Sequence, residues 1–183
     1  MLAASDVTIR HLARGDETEA LAAHHALVAD GFNFLLEHVE GESWGNFVER
    51  LAMIERGEQL APGRVPAAFL VGVVENRIAG RVSVRYELND YLADVGGHIG
   101  YGVVPRFRRR GVASALLRSG LDSLAARGVE RALVTCDEDN VASRGVTERM
   151  GGRPDERRPR AVRDDETKLR FLVPTAYPGP VPR

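Results

Sequence analysis

A single cysteine, Cys136, stands among the 183 residues of the chain. An intrachain disulfide is therefore excluded, as is a cysteine-rich zinc site, and a reducing compartment suits such a sequence. Neither sign of charge dominates: 25 Lys and Arg face 26 Asp and Glu, for a net charge of -1. That removes a domain-wide basic field for nucleic acid but leaves room for a local patch. No apolar run approaches the roughly 20 residues that cross a bilayer. The N-terminal segment already carries Asp6, Arg10, Arg14, Asp16 and Glu17, with no apolar core of signal-peptide length. The expectation is a cytoplasmic protein with no membrane partner. Internal repeats are missing, and so are two familiar phosphate loops. There is no G-x-x-x-x-G-K-[ST], and Gly100-Tyr-Gly102 lacks the third glycine of a dinucleotide fingerprint because Pro105 follows.

What remains is an ordinary globular balance, 44% hydrophobic and 28% charged, which argues against wholesale disorder. The length predicts one domain, residues 1–173. A tail at 174–183, with Pro174, Pro178, Pro180 and Pro182, reads as disordered.

Periodicity predicts a short first strand at 7–12 and an alanine-rich helix at 17–30. Residues 32–43 read as a loop or broken helix, and 44–57 as a helix with Ser43 as N-cap and Gly57 as its stop. After a Pro/Gly connector at 58–66 come strands at 67–75 and 80–88, a hairpin whose link is bracketed by Asn76 and Gly80. A polar loop runs from Asn89 to Gly97. A strand at 98–104 stops at Pro105. Residues 111–127 carry Val112, Leu116, Leu117, Leu121 and Leu124 on one helical face, with Gly128 as C-cap. A strand at 130–136, a helix at 140–150 capped by Asn140, and a strand at 166–173 complete the order. The class is mixed α+β or α/β, neither a pure sandwich nor a bundle.

The chemistry concentrates at 98–117. A strand ends at Pro105, an arginine-rich loop follows, and the loop opens directly into a strong helix. Helix N-termini present unpaired N–H groups and partial positive charge. Gly111 and Ala113 allow close approach to the backbone, and Arg106, Arg108, Arg109 and Arg110 add charge. The combination suits a phosphate or pyrophosphate. A basic run alone would read as a solvated loop.

At this point the sequence resembles the GNAT superfamily of N-acetyltransferases. Their [QR]-x-x-G-x-[GA] motif stands here as Arg108-x-x-Gly111-x-Ala113, preceded by Val103-Val104-Pro105. The second half of the pattern, N-x-x-[AS] and a helix closed by glycine, stands as Asn140-Val-Ala-Ser143 and Glu148-Arg-Met-Gly151. The resemblance covers about residues 67–173. It implies a mixed, mostly antiparallel central sheet of six to seven strands, splayed between the fourth and fifth (98–104 and 130–136), with about four helices. It implies acetyl-CoA as acetyl donor, no metal, and a primary amine on a small molecule as acceptor, reacting directly in a ternary complex. Pantetheine would pair with the backbone of Val103 and Val104. The pyrophosphate would sit on Arg108, Arg109, Arg110, Gly111, Val112, Ala113 and Ser114. Asn140 and Ser143 would face the pantetheine arm or the thioester. Family members are often dimers, so a homodimer stays open.

His98, Gly100, Gly102 and Val104 share one strand face. Two glycines there make sense if a ligand lies against them. His98 occupies the position where the family often has a carboxylate general base. A base is needed because an alkyl amine, with a pKa near 10.4, is only about one part in a few thousand neutral at pH 7. Histidine, with a pKa of about 6.5, suits the role. Its bland alternative is a structural hydrogen bond. The family often places a tyrosine acid seven residues after the capping asparagine; Thr147 stands there instead, Tyr101 falls off the groove face by parity, and no acid is assigned.

Asn140 is equally an ordinary N-cap. Cys136, in an apolar strand, defaults to a small buried residue. Glu37, Glu40 and Glu42, with Asn89, Asp90, Tyr91 and Asp94, are the candidate acceptor site, acidic if they cluster and otherwise a solvated surface. Of these, Glu40, Asn89, Asp90 and Tyr91 are the named substrate contacts. Competing readings are a non-catalytic acyl-CoA-binding module, kept open by the missing tyrosine; a different acyl donor such as succinyl-CoA; and a nucleic-acid binder using Arg106–Arg110, disfavoured by the balanced charge.

Overall fold

A computed structural model describes residues 6–156 and 168–176. Seven strands and four α-helices follow one another along the described residues: β1 (Thr8–His11), α1 (Glu17–Val28), α2 (Trp44–Arg56), β2 (Ala67–Val74), β3 (Arg77–Arg85), β4 (Ile99–Val103), α3 (Val112–Ala125), β5 (Arg131–Asp137), α4 (Val141–Arg149), β6 (Arg153–Pro154) and β7 (Lys168–Pro174). The strands form one sheet in the order β1-β2-β3-β4-β5-β7-β6. Every neighbouring pair is antiparallel except β4 and β5. This is the mixed, mostly antiparallel sheet that the resemblance implies.

Local chemistry explains most boundaries. The Ser43 side chain accepts from the Asn46 N–H at 3.3 Å and starts α2; Gly57, at φ +76°, ends it. The β2–β3 hairpin closes more tightly than the Asn76–Gly80 link expected. Glu75 and Asn76 both take positive φ, +50° and +58°, as a two-residue hairpin turn requires. Gly80 therefore lies inside β3. The expected loop at 89–97 contains a wide helical turn, Leu92–Gly96, which Asn89 starts by accepting from the Leu92 N–H at 2.9 Å. The short β6 had no periodicity to announce it. The last strand continues through Pro174, and Thr175 is buried with its hydroxyl donating to the carbonyl of Val129 at 2.6 Å. Of the expected tail, residues 177–183 lie outside the described residues.

The two sheet faces are covered differently. An added Cβ on Gly80 would meet Leu116 of α3, whereas one on Gly102 would meet the Phe32 ring beyond α1. Gly80 pairs with Val103, the neighbour of Gly102. Side chains alternate along a strand, so α3 covers one face and the α1–α2 region the other. On the α3 side, Val112, Leu116, Leu117, Leu121 and Leu124 are buried. Each such side chain is worth roughly 1.5–3 kcal/mol before chain entropy is subtracted. Opposite them, Phe34, Phe47 and Phe69 meet edge to face, with ring centroids 6.1 and 6.2 Å apart.

Candidate active site

Strands β4 and β5 touch through one registered pair, Ile99 with Val134. Beyond it the sheet opens. The N–H of Val104 donates to Ala79 of β3 at 2.9 Å, and its carbonyl accepts from Phe107 at 2.8 Å. Strand alternation then turns the backbone polar groups of Tyr101 and Val103 toward the opening. Val103 keeps its expected place on the edge of the cleft. Val104 does not, because its amide is already committed to β3.

His98 lies at the closed end of the opening. Its N–H donates to the Leu133 carbonyl at 2.7 Å, and its carbonyl accepts from Arg85 at 2.8 Å. Its ring Nδ1 accepts from the Leu133 N–H at 2.9 Å. A neutral imidazole that accepts at Nδ1 carries its hydrogen on Nε2, so it has no second lone pair to offer. Burial, then the nearby Arg85 charge, push its pKa below the ordinary value. The geometry thus makes His98 a clasp joining β3, β4 and β5, against the expectation of a free general base.

The two glycines of β4 also find a different use. The face they share with His98 is filled by protein. The Phe32 ring lies where a Gly102 Cβ would come within 2.6 Å, and the Arg85 guanidinium lies 3.5 Å from a Cβ at Gly100. The missing side chains make room for an aromatic ring and an arginine.

A residue set aside by parity enters the cleft. The Tyr101 hydroxyl is 3.0 Å from the Ser143 hydroxyl, at the first turn of α4. Burial raises its pKa, against the Ser143 and Thr147 hydroxyls, which lower it. Thr147 Oγ1 is buried beside the Tyr101 hydroxyl without a well-formed hydrogen bond. Cys136 is buried in the adjoining strand, and burial raises its pKa. Asn140 caps α4 by accepting from the Ser143 N–H at 3.0 Å. Tyr101 was missed because the ligand groove was assigned to the glycine face.

At the other end of β4, residues 105–107 make a single tight turn into the arginine loop. Arg109 and Gly111 both adopt positive φ, +61° and +84°. Such alternation turns successive N–H groups inward as an anion-binding concavity. Val112, Ala113 and Ser114 follow as the first turn of α3, whose N–H groups have no helical acceptor. Arg108 bonds the Asp30 carboxylate and donates from Nε to the Val103 carbonyl at 3.1 Å. It braces the loop against β4, and its charge is matched locally. Arg110 stacks on Phe107 at 5.6 Å and lies 3.9 Å from Glu75.

On the opposite face, a cavity of about 730 Å³ opens between α2, the 58–65 connector and the 89–92 segment. Asn89 and Tyr91 line it, with Glu37 and Glu42; Glu40 and Asp90 are exposed and lie outside it. The expected acidic character is largely cancelled. Glu42 is paired with Arg50 at 2.7 Å and Glu37 with Arg64 at 3.0 Å. The cavity wall also includes Ser83 and Arg85 from β3. Among the described residues, no group of three or more His, Cys, Asp or Glu could hold a metal, and no helix is long and apolar enough to cross a membrane.

Comparison with known proteins places this arrangement. Residues 35–152 match the model of the acetyltransferase (GNAT) family. No curated protein matches the chain. RimJ from Mycobacterium smegmatis, solved in complex with CoA-disulfide, is 20% identical and superposes with a TM-score of 0.61, over 91% of this chain and 80% of that one. YncA from Salmonella typhimurium, solved with its cofactor acetyl-CoA, is 14% identical, with a TM-score of 0.58 over 97% and 99% of the two chains. An N-acetyltransferase from Staphylococcus aureus Mu50 is 12% identical, with a TM-score of 0.60 over 92% and 98%. At these identities the likeness to solved structures is one of fold.

Proposed function

Because the chain belongs to the acetyltransferase (GNAT) family, we propose that it moves an acetyl group from acetyl-CoA to the primary amine of a small acceptor, by direct attack in a ternary complex. The observation that carries this reading is the cleft itself: β4 and β5 part after a single pair, with the arginine loop and the start of α3 at its mouth. The residues present suit the donor. The amides from Arg109 to Ser114 and the charges of Arg109 and Arg110 would take the pyrophosphate. The outward-facing backbone of Val103 and Tyr101 would take the pantetheine amides as an added strand. Acetyl-CoA supplies an activated thioester.

The chain supplies two things beyond binding. The Arg85 guanidinium in the wall of the acceptor cavity, with that of Arg81 buried behind it, disfavours a further cation nearby, so an amine sheds its proton there more readily than in water. The Tyr101 hydroxyl, held by Ser143, donates a hydrogen bond where the sulfur leaves. A thiol has a pKa of about 8.5 and a tyrosine about 10. Full proton transfer from Tyr101 therefore runs uphill, and its service is to stabilise developing negative charge. Cys136 is a poor acyl carrier, since burial keeps it a thiol and only the thiolate is nucleophilic; this favours direct attack over a covalent relay.

The test is CoA release over a panel of primary amines, with Tyr101→Phe beside the native protein. A hydrogen bond to an ionised group is worth about 1.5–3 kcal/mol. The variant should lose roughly 10- to 100-fold in kcat while the KM for acetyl-CoA stays the same. A protein that binds acetyl-CoA yet releases no CoA with any amine would be a non-catalytic acyl-CoA-binding module, and the enzyme reading would be wrong.

A further inference from the structure

Arg81, Ser83 and Arg85 alternate along β3 and so project from the same face. It is the face of Phe32 and the cavity: Arg85 and Ser83 lie beside the position a Gly100 Cβ would take, and both line the cavity. Arg81 is only 3% exposed and Ser83 only 6%. Among the described residues neither guanidinium has a carboxylate within ion-pairing distance, while the other arginines around the cavity, Arg50 and Arg64, do. Arg85 donates only long bonds, 3.3 and 3.4 Å, to the carbonyls of Gly96 and Gly97. Arg81 is sandwiched between Phe32 and Phe69, at 4.7 and 5.3 Å, and donates one bond, to the Asn33 carbonyl at 3.2 Å. Its Nε and Nη1, and the Ser83 Oγ, are buried with no partner.

Such an arrangement is expensive. A buried donor left unmade costs about 1–3 kcal/mol, and a charged one more. Burial first, then the neighbouring Arg85 charge, push the Arg81 pKa down to about 9, against the Glu37 carboxylate, which raises it. Two adjacent cations also repel. Guanidiniums without a direct ion-pair partner, offset only at longer range by Glu37, are what an anionic ligand group requires.

We propose that the acceptor is amino-acid-like: an amine that also carries a carboxylate, docked on Arg85 with Arg81 and Ser83 buried behind it, and an apolar body. Only the word acceptor rests on the acetyl-transfer reading; the anion site rests on the side chains themselves. The donor facing the cavity is one planar guanidinium fork, that of Arg85, which matches the two oxygens of a carboxylate. Leu36, Leu51, Met53, Ile54, Phe69 and Leu92 line the same cavity and would hold the apolar body. A volume of about 730 Å³ is that of a small-molecule site.

The experiment is calorimetric titration of the full chain with N-acetylphenylalanine, its carboxamide and phenyl phosphate, in the native protein and in Arg85→Met. The acid should bind about tenfold or more tighter than the amide, and that preference should fall below about threefold in the variant. The comparison within the native protein stands even if the variant unfolds. Equal affinities for acid and amide, no binding of either, or tighter binding of phenyl phosphate would each overturn the proposal. No acetyl transfer is involved, so its failure is distinct from failure of the enzyme reading, which acetyl-CoA binding and CoA release test separately.

Discussion

Replacing Gly80 with alanine should damage the fold and the cleft together. A Cβ at this position would lie 2.5 Å from the Gly102 carbonyl oxygen, 2.9 Å from Leu116 Cδ1 and 3.3 Å from Val103 Cα. The leucine methyl can turn aside, but the carbonyl belongs to the β4 backbone. Relief therefore requires β3 and β4 to move apart by several tenths of an ångström, close to the Ala79–Val104 hydrogen bond of 2.9 Å. Overpacking of this kind costs about 1–3 kcal/mol, and a weakened backbone bond adds about 1 kcal/mol. At about 2–4 °C per kcal/mol for a domain of this size, Tm should fall by roughly 5–15 °C. Since β4 carries the Val103 edge of the cleft, the Kd for acetyl-CoA should rise as well. Differential scanning fluorimetry with and without acetyl-CoA reads both effects. A variant melting within 2 °C of the native protein (about the change expected per kcal/mol) would show that β3 and β4 are not packed as tightly as described.

Two other perturbations test the elements that frame the site. Arg170 is buried in β7, bonds Asp155 at 2.7 Å and donates to the carbonyl of Ala93 at 2.8 Å, pinning the helical turn at the cavity rim. Arg170→Met should cost about 3–5 kcal/mol in urea unfolding, as removal of one member of a buried pair does; a loss under 1 kcal/mol would mean that the turn is held by other contacts. The pKa of His98 is lowered in the folded state, mainly by burial and then by Arg85. The unfolded chain then binds its proton more readily, so the stability from the His98 clasp is present above about pH 6.5 and is lost as pH falls below it. His24, likewise lowered by burial and then by His25 and His38, adds a slope of the same sign. Urea midpoints from pH 8 to pH 5 should therefore decline less steeply in His98→Gln than in the native protein; parallel slopes would remove the clasp.

The site was legible where local backbone chemistry decides it. A proline, an arginine loop, Gly111 and a strongly periodic helix specify a strand, an inward-turned loop and a helix N-terminus without help from distant residues. Asn140 and Ser43 cap their helices for the same reason. What stayed hidden depends on which face of the sheet is covered. Alternation in 80–88 puts Val82, Val84 and Tyr86 on one face and Arg81, Ser83 and Arg85 on the other, and nothing within the strand marks that second face as covered. The α1–α2 layer and the rings of Phe32 and Phe69 bury that second face, and no period within the strand announces a layer contributed from elsewhere. The same gap misplaced the ligand groove: the glycines of β4 suggested an open face, but a ring some seventy residues earlier fills it, and Tyr101 reaches the cleft from the face that had been set aside. The tautomer of His98 follows from the Leu133 amide, a partner that spacing could not supply.

The central claim is that the arginine loop and the first turn of α3 hold acetyl-CoA. Its most direct test is thermal stability with and without saturating acetyl-CoA, in the native protein and in Ser114→Glu. A carboxylate in the first turn suits the helix dipole, so the variant should fold at least as well as the native chain; it places a negative charge where the pyrophosphate would sit. At 100 times its Kd a ligand stabilises by about 2.7 kcal/mol, or roughly 5–10 °C here. The account predicts that shift in the native protein and its loss in Ser114→Glu. An equal shift in both, or none in either, would contradict it.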